Sequence, residues 1–313
     1  MRMMREKEPK LGIALGGGGL RGAAHIGVLK ALERNGIRPD LIAGTSAGSV
    51  IAALYACGVP IEKMEQIALN LQKRDILDWD FRLWDVMVWL LRTIIITLPC
   101  ISLRCSSLQW PKGIVKGAKI EQLIKDLVGP RICSQVEMPL AIVASDINSG
   151  ERVIFTNWRP VQPPALHRTC LIHDAPVANA VRASISLPGI FTPANYQGRM
   201  LVDGGLTDYV PVEILHAMGA DVILAVNLGY INPNKIVDDV VEVVLRSLDI
   251  MIAETSDVEE DCFADLIIIP PLEDIHLTDI HRIAECIQSG ETTTNEWMPQ
   301  IKKMLFEANR KGR

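Results

Sequence analysis

A serine flanked by glycines lies between a short apolar strand and an apolar helix. Gly44 and Gly48 each stand two positions from Ser46. At a sharp strand-to-helix turn the serine adopts strained backbone angles, and flanking glycines lack the Cβ atoms that would clash there. The hydroxyl then projects beyond the sheet, beside a helix N-terminus whose partial positive charge stabilises an oxyanion. The turn predicts a nucleophile at Ser46; a serine that only caps the helix over 47–57 is the alternative.

A glycine-rich loop follows the first predicted strand and opens a helix. It contains Gly17, Gly18, Gly19 and Gly22, with Arg21 as its charged residue. Backbone N–H groups of such a loop point outward together and can bind an anion. The loop could therefore hold a pyrophosphate or the oxyanion of an acyl-transfer intermediate. A purely structural tight turn is the third interpretation.

The spacing of Gly17, Gly19 and Gly22 matches a dinucleotide-binding pattern. That function also requires an acidic residue at the end of the second strand, to bind the ribose. Asp40 lies at about the right distance, but it precedes the strand over 41–43 and is expected at the opposite edge of the sheet. The loop also lacks the Gly-Lys-Ser/Thr sequence of a nucleotide-hydrolase phosphate loop. These mismatches favour the oxyanion interpretation.

A serine nucleophile needs a group that accepts its proton, and this group is usually a histidine. None of the six histidines follows a strand or lies in a glycine-flanked turn, and His25, inside the first helix, is expected to be packed or to face solvent. Asp203 follows a short strand over 200–202 and precedes Gly204 and Gly205. Such glycines let a carboxylate approach another backbone closely. The alternative is an ordinary Asp-Gly turn.

The elements that must position these groups alternate between strand and helix, which predicts an α/β protein with a mostly parallel sheet and helices on both faces. The predicted strands cover residues 11–15, 41–43, 140–145, 152–155, 200–202, 221–227 and 266–269. The predicted helices cover residues 21–35, 47–57, 61–71, 177–184, 212–218 and 236–251, with a helical tail from 279. Two segments, 79–112 and 158–174, break the alternation and are expected to be insertions over the sheet.

Composition narrows the function classes. The chain has 313 residues, of which 49% are hydrophobic, enough for one large domain. A net charge of −5 and the lack of a long basic run argue against nucleic-acid binding. Seven cysteines without a Cys-x-x-Cys pair indicate reduced thiols in the cytosol. The apolar run at 11–15 is too short and glycine-rich for the core of a signal peptide.

Four motifs, in order, resemble those of the patatin-like phospholipase family. They are the glycine loop over 17–22, the serine turn over 44–48, the Ala-Ser-x-x-x-Pro segment within 182–188, and the Asp-Gly-Gly element over 203–205. The resemblance runs from about residue 10 to 269. It implies a three-layer α/β/α sandwich with a mostly parallel central sheet. The expected organisation is an acyl hydrolase domain over 10–275 and a C-terminal helical extension over 276–313.

The resemblance also implies a Ser–Asp dyad instead of a triad. Ser46 would attack an ester carbonyl and Asp203 would act as general base. The backbone N–H groups of Gly17, Gly18 and Gly19 would stabilise the oxyanion, and water would hydrolyse the acyl-enzyme. The implied substrates are lipid acyl esters, with an activity of phospholipase A or lysophospholipase type. A thioesterase or small-ester esterase is one alternative, and a non-catalytic lipid- or membrane-binding regulatory protein is another.

The resemblance implies no metal and no diffusible cofactor. Arg21 would anchor the loop or bind an anionic head group. One acidic and histidine-rich stretch could suggest a metal site: it contains Asp274, His276, Asp279 and His281. Its two histidines are five positions apart and share no helical face, so metal binding is not expected there.

The segment 79–112 is rich in tryptophan and aliphatic residues. Asp85 and Arg92 interrupt its apolar run and Pro99 ends it, so it is too short for a spanning helix. Tryptophan favours the membrane interface. A lid or interfacial helix is therefore expected, with a buried packing element or oligomer contact as the alternative. The first of these interpretations predicts peripheral membrane contact through 84–103. The expected location is the cytoplasm, or the inner face of the membrane if this contact forms.

Overall fold

The computed structural model describes residues 9–78, 112–162, 166–229 and 262–311, together with residues 243, 246, 247, 250, 251 and 260. The predictions for 79–111 and for most of the helix over 236–251 lie outside the described residues. Among those that are described, no helix combines the length and apolar sequence needed to cross a membrane.

The elements alternate along the chain much as the sequence predicts. The strands are β1 Leu11–Leu15, β2 Leu41–Thr45, β3 Leu140–Asp146, β4 Arg152–Thr156, β5 Thr169–Ile172, β6 Ala194–Tyr196, β7 Arg199–Asp203, β8 Val222–Val226 and β9 Leu266–Ile268. The helices are α1 Ala24–Arg34, α2 Ala47–Ala56, α3 Ile61–Asn70, α4 Lys73–Ile76, α5 Ala118–Val128, α6 Val177–Ser184, α7 Val212–Ala217 and α8 Ile283–Lys311. Helices α4 and α5 and strands β5 and β6 are additions to the predicted set.

The described strands form one sheet in the order β5-β4-β3-β2-β1-β8-β9. β1 pairs in parallel with β2 and β8, and β2 pairs in parallel with β3. β3 pairs antiparallel with β4 and β7, and β7 pairs antiparallel with β6. The sheet is therefore mostly parallel, with its antiparallel pairs gathered around β3.

Both faces of the sheet are covered, because the central strands carry apolar side chains on each face. Ile13 and Leu15 belong to a large buried cluster that includes residues of α1, α2 and α6. Ala14, between them, belongs to a second buried cluster on the opposite face, packed under α7. This arrangement is the predicted three-layer sandwich.

The prediction that 158–174 lies over the sheet as an irregular insertion is wrong for its second half. Thr169–Ile172 is the edge strand β5, which pairs in parallel with β4. Strand formation here depends on a partner provided by β4. The prolines earlier in the segment break local patterning but leave this stretch free to pair.

Helix α8, 29 residues long, packs along α1. Glycines allow the close approach, since a Cβ on Gly27 would lie 1.9 Å from the carbonyl oxygen of Ile287 and one on Gly290 would lie 2.1 Å from that of Ala24. Ile301 of α8 is fully buried in the large cluster. A domain boundary at 275/276 stays a prediction.

Candidate active site

Strands β2 and β7 approach each other end to end along the same edge of β3. Thr45, the last residue of β2, lies opposite Val143, and Asp203, the last residue of β7, lies opposite Ala144. β4 occupies the other edge of β3. The serine that follows β2 and the aspartate that ends β7 are therefore neighbours.

Ser46 occupies a strained turn that glycines make possible. Its φ is 53° and its ψ is −122°, in a region that non-glycine residues rarely adopt. A Cβ on Gly44 would lie 2.4 Å from the carbonyl oxygen of Gly48, and one on Gly48 would lie 2.0 Å from that of Leu15. The two glycines thus let α2 start directly above the ends of β1 and β2. The N-terminus of α2 contributes partial positive charge beside the serine.

The hydroxyl of Ser46 donates to Oδ2 of Asp203 at 2.6 Å. This side chain makes no capping hydrogen bond to α2, so the alternative that Ser46 only caps the helix loses support. Oδ1 of Asp203 accepts from the backbone N–H of Gly205 at 2.9 Å. Burial raises the pKa of the Asp203 carboxyl to about 6, while the bonds from Ser46 and Gly205 oppose that rise. The carboxylate can therefore accept a proton near neutral pH.

Gly204, directly after Asp203, lets the end of β7 lie close against β3. A Cβ on Gly204 would lie 2.3 Å from the carbonyl oxygen of Val143. Only a residue without a side chain fits at this distance. The close approach keeps the carboxylate of Asp203 at the level of the serine turn.

The glycine loop lies against the serine turn, since a Cβ on Gly22 would lie 2.5 Å from that of Ala47. The φ angles of Gly18 and Gly19, 146° and 56°, suit glycine. The N–H of Gly17 donates to the carbonyl of Tyr209 at 3.3 Å. Of the three predicted oxyanion donors, Gly18 and Gly19 are the two whose N–H groups have no hydrogen-bond partner in the described part of the chain. Their role as oxyanion donors stays a prediction.

Arg21 anchors the glycine loop. Its Nε donates to the carbonyl of Ile275 at 2.8 Å, and Nη1 donates to that of Leu228 at 3.4 Å. These bonds tie the loop to the segment that follows β8 and to the chain that precedes α8. Of the two roles suggested for Arg21, the contacts support anchoring.

His25 is fully buried beneath the glycine loop and does not approach the dyad through any hydrogen bond. Its Nε2 lies 2.9 Å from the carbonyl oxygen of Gly16, and must carry the proton because a carbonyl only accepts. Nδ1 is buried and has no hydrogen-bond partner among the described residues. Burial lowers the pKa of this imidazole to about 4, so the ring is neutral at physiological pH.

Two serines near the end of α6 also contact the site, and sequence reasoning did not assign them a role. The backbone N–H of Ser46 donates to Oγ of Ser184, and the backbone N–H of Asp203 donates to the carbonyl of Ser186, both at 2.9 Å. Both serines belong to the Ala-Ser-x-x-x-Pro segment. That motif was the signal that could have found them.

The interpretation of the glycine loop as a dinucleotide site loses support. Asp40 lies at the amino end of the sheet, where Oδ2 accepts from the N–H of Leu11 at 2.8 Å, so it cannot bind a ribose beside the glycine loop. In the described ranges, no group of three or more histidine, cysteine or acidic side chains is arranged to hold a metal ion.

Comparison with known proteins agrees with the motif pattern. A family model described as patatin-like phospholipase matches residues 13–216. An uncharacterized NTE family protein of Mycobacterium tuberculosis is 31% identical over 229 residues, covering 73% of this chain and 52% of that protein. Lysophospholipase nte1 of Aspergillus fumigatus is 34% identical over 224 residues, covering 72% of this chain and 12% of that protein. The chain thus spans about half or less of the length of these relatives.

Among solved structures, human GIVD cytosolic phospholipase A2 in complex with methyl gamma-linolenyl fluorophosphonate superimposes with a TM-score of 0.51. The match covers 100% of this chain and 61% of that chain at 13% sequence identity. At such low identity the likeness concerns the fold alone, and it confirms the sandwich architecture.

Proposed function

The chain belongs to the patatin-like phospholipase family, and we propose that it is a serine acyl hydrolase that cleaves lipid acyl esters with a Ser46–Asp203 dyad. The observation that carries the proposal is the 2.6 Å hydrogen bond from Ser46 Oγ to the buried carboxylate of Asp203. A hydroxyl held by a carboxylate in a strained strand-to-helix turn is an arrangement suited to nucleophilic catalysis.

Acylation begins when Ser46 Oγ attacks the ester carbonyl carbon while its proton passes to Oδ2 of Asp203. The carbonyl oxygen becomes an oxyanion, which accepts hydrogen bonds from the N–H groups of Gly18 and Gly19. The N-terminus of α2 adds favourable electrostatic potential. When the intermediate collapses, the bond to the leaving alcohol breaks and the alcohol takes the proton from Asp203. The acyl group remains on Ser46.

Deacylation repeats these steps with water as the nucleophile. Asp203 accepts a proton from water as it attacks the acyl carbonyl, and the same N–H groups stabilise the second oxyanion. Return of the proton to Ser46 Oγ releases the fatty acid. A carboxyl with a pKa of about 6 suits both directions of transfer, because its affinity for a proton is close to balanced near neutral pH.

Lipid esters are the substrate class that the family and the lysophospholipase relative favour. The activity would be of phospholipase A or lysophospholipase type. Asp78 contacts the start of α5, since its carboxylate accepts from the N–H groups of Gly117 and Ala118, both at 2.7 Å. We propose that residues 84–103 contact a membrane peripherally, with the protein in the cytoplasm or on the inner face of the membrane.

The dyad is tested with a fluorophosphonate probe and a short-chain nitrophenyl ester. The wild-type chain is expected to be labelled at Ser46 and to hydrolyse the ester, whereas Ser46→Ala should do neither while keeping its circular dichroism spectrum. A folded wild-type chain that neither labels nor hydrolyses would support a non-catalytic lipid-binding protein. Full activity in Ser46→Ala would overturn the proposed nucleophile.

The substrate class needs a separate comparison. Phospholipid, lysophospholipid and acyl-CoA are offered at matched acyl chain length, and the released fatty acid is measured against the Ser46→Ala variant. Faster release from the two phospholipid substrates supports the lipid assignment. Preferential turnover of acyl-CoA would indicate a thioesterase.

A further inference from the structure

One short segment at the end of α6 contacts the backbones of both residues of the proposed dyad. Ser46 N–H donates to Ser184 Oγ, and Asp203 N–H donates to the carbonyl of Ser186, each at 2.9 Å. The two dyad residues are 157 positions apart in the chain. Because both backbones bind the same short segment, that segment helps to set the distance between the Ser46 hydroxyl and the Asp203 carboxylate.

The residues that accept these two bonds are shielded from water. Ser184 and Ser186 are both fully buried, with 0% of their surface exposed. Of the two donors, Asp203 is 4% exposed and Ser46 is half-buried. Loss of a buried acceptor costs free energy, so each bond restrains the backbone that donates it. The orientation of the Ser46 peptide is accordingly tied to the Ser184 hydroxyl.

Arg182 holds this segment from its other side. The guanidinium is 6% exposed and donates to Ser186 Oγ, to the carbonyl of Lys116, and to the carbonyl of Thr192 at 2.6 Å. Ser186 Oγ in turn donates to the carbonyl of Arg182 at 2.7 Å. The guanidinium thus braces the turn after α6 against two neighbouring loops.

The bond to Ser184 acts on a strained residue. Ser46 has a φ of 53°, which a non-glycine residue keeps only when its surroundings compensate for the unfavourable conformation. If the peptide relaxed, the direction of the Cα–Cβ bond would change and the hydroxyl would move relative to Asp203. A displacement of about 1 Å at a reacting atom can lower the rate about 100-fold.

We propose that Ser184 is a positioning residue, whose hydroxyl fixes the Ser46 peptide so that Oγ points at Asp203. The proposal rests on the assignment of Ser46 as the nucleophile. Ser184 touches neither the substrate nor the proton in transit. It acts only through the hydrogen bond that its hydroxyl accepts from the backbone N–H of Ser46.

The test replaces Ser184 by alanine, which removes the acceptor and little volume. For a nitrophenyl ester, kcat of Ser184→Ala is expected to fall by about 10- to 100-fold with KM nearly unchanged. The acidic limb of the pH profile should also move to higher pH, because the hydrogen bond from Ser46 lowers the pKa of Asp203 and would be weakened. A purely structural role would not move this limb.

Thr294→Val is the matched control. Thr294 is also 0% exposed, and its hydroxyl donates to the carbonyl of Gly290 at 2.8 Å within α8. The control therefore loses a buried hydroxyl away from the dyad, and it should keep the wild-type kcat and pH profile. Ser184→Cys, which retains a weak acceptor, should give a smaller loss and carries the test if Ser184→Ala does not fold.

Wild-type kcat and an unmoved acidic limb in a folded Ser184 variant would overturn the positioning role. So would a loss of kcat that Thr294→Val reproduces. Failure of the proposed function looks different: either the folded wild-type chain would not hydrolyse the ester, or Ser46→Ala would retain hydrolysis whatever happens at Ser184.

Discussion

Ser46 Oγ lies 2.6 Å from Oδ2 of Asp203, in a hydrogen bond between a surface-facing turn and a carboxylate that is 4% exposed. The same burial that makes this carboxyl a competent proton acceptor also makes its ionised form costly in the folded protein. Activity and stability are therefore linked through one side chain.

The pH dependence of activity should report this carboxyl. We expect kcat/KM for a nitrophenyl ester to rise with pH through an apparent pKa of about 6, because only ionised Asp203 can accept the serine proton. Steady-state rates between pH 4 and 8, corrected for spontaneous hydrolysis, measure the limb. A limb near the ordinary aspartate value of 3.8 would contradict the role of burial.

Removal of the Asp203 charge should abolish the proposed ester hydrolysis but stabilise the fold at neutral pH. A raised pKa in the folded state favours the protonated form, so this contribution to stability is complete below 3.8 and is lost as the pH rises through about 6. Asp203→Asn avoids the loss and should raise the free energy of unfolding at pH 7 by up to about 3 kcal/mol. Urea unfolding at pH 7 and pH 4 measures the difference, which should shrink at pH 4. Equal stability of both proteins at pH 7 would argue against a costly buried charge.

His25 should have the opposite effect on acid stability. Its pKa is lowered to about 4 in the folded protein, so the unfolded chain binds more protons between pH 6.5 and 4, and stability falls as the pH decreases through that range. The loss is up to about 3 kcal/mol. In His25→Gln the free energy of unfolding should decline less steeply between pH 7 and pH 4, as followed by urea titration. Parallel curves for the two proteins would exclude a buried neutral imidazole.

Displacement of the glycine loop should lower the rate of ester hydrolysis strongly and the thermal stability only slightly. Gly22→Ala introduces a Cβ that would lie 2.5 Å from the Cβ of Ala47, which forces the loop away from the serine turn. We expect kcat to fall by at least about 10-fold because the N–H donors of Gly18 and Gly19 move with the loop. Ester hydrolysis and thermal unfolding measure the two effects.

Gly36→Ala is the control for this prediction. Gly36 has a φ of 73° and no atom within 4 Å of an added Cβ, so the change should cost about 1 kcal/mol of stability and leave kcat intact. Unchanged kcat in Gly22→Ala would mean that the loop does not need its contact with the serine turn.

Local features were predictable from the sequence because neighbouring residues determine them. The strand β1, the start of α2 after Ser46 and the glycine-rich approach to α1 follow from apolar periodicity and from glycine placement within a few positions. The boundaries of β2 and β7 were misplaced by one or two residues, since strand ends depend on the partner strands. The segment around Thr169–Ile172 was misjudged for the same reason: its pairing partner lies in another part of the chain.

The hydrogen-bond partner of each polar group could not be predicted from the local sequence pattern either. The N–H of Gly17 donates to the carbonyl of Tyr209, and the buried His25 donates from Nε2 to the carbonyl of Gly16. In the sequence, Ser184 is recognisable only as part of the Ala-Ser-x-x-x-Pro motif. The packing of α6 places its hydroxyl where it accepts a hydrogen bond from the N–H of Ser46. Hydrogen bonds between distant segments depend on how the helices pack on the sheet, which periodicity does not encode.

Neighbouring residues alone specify the kinds of group available: a serine in a turn that glycines permit, a loop with outward N–H groups, and an aspartate followed by two glycines. The meeting of the serine and the aspartate depends instead on how distant strands pair in the folded sheet. β2 ends opposite Val143 and β7 ends opposite Ala144, so the two strands stop at adjacent positions along one edge of β3. That register arises from pairing across the sheet, and it brings the hydroxyl of Ser46 to the carboxylate of Asp203.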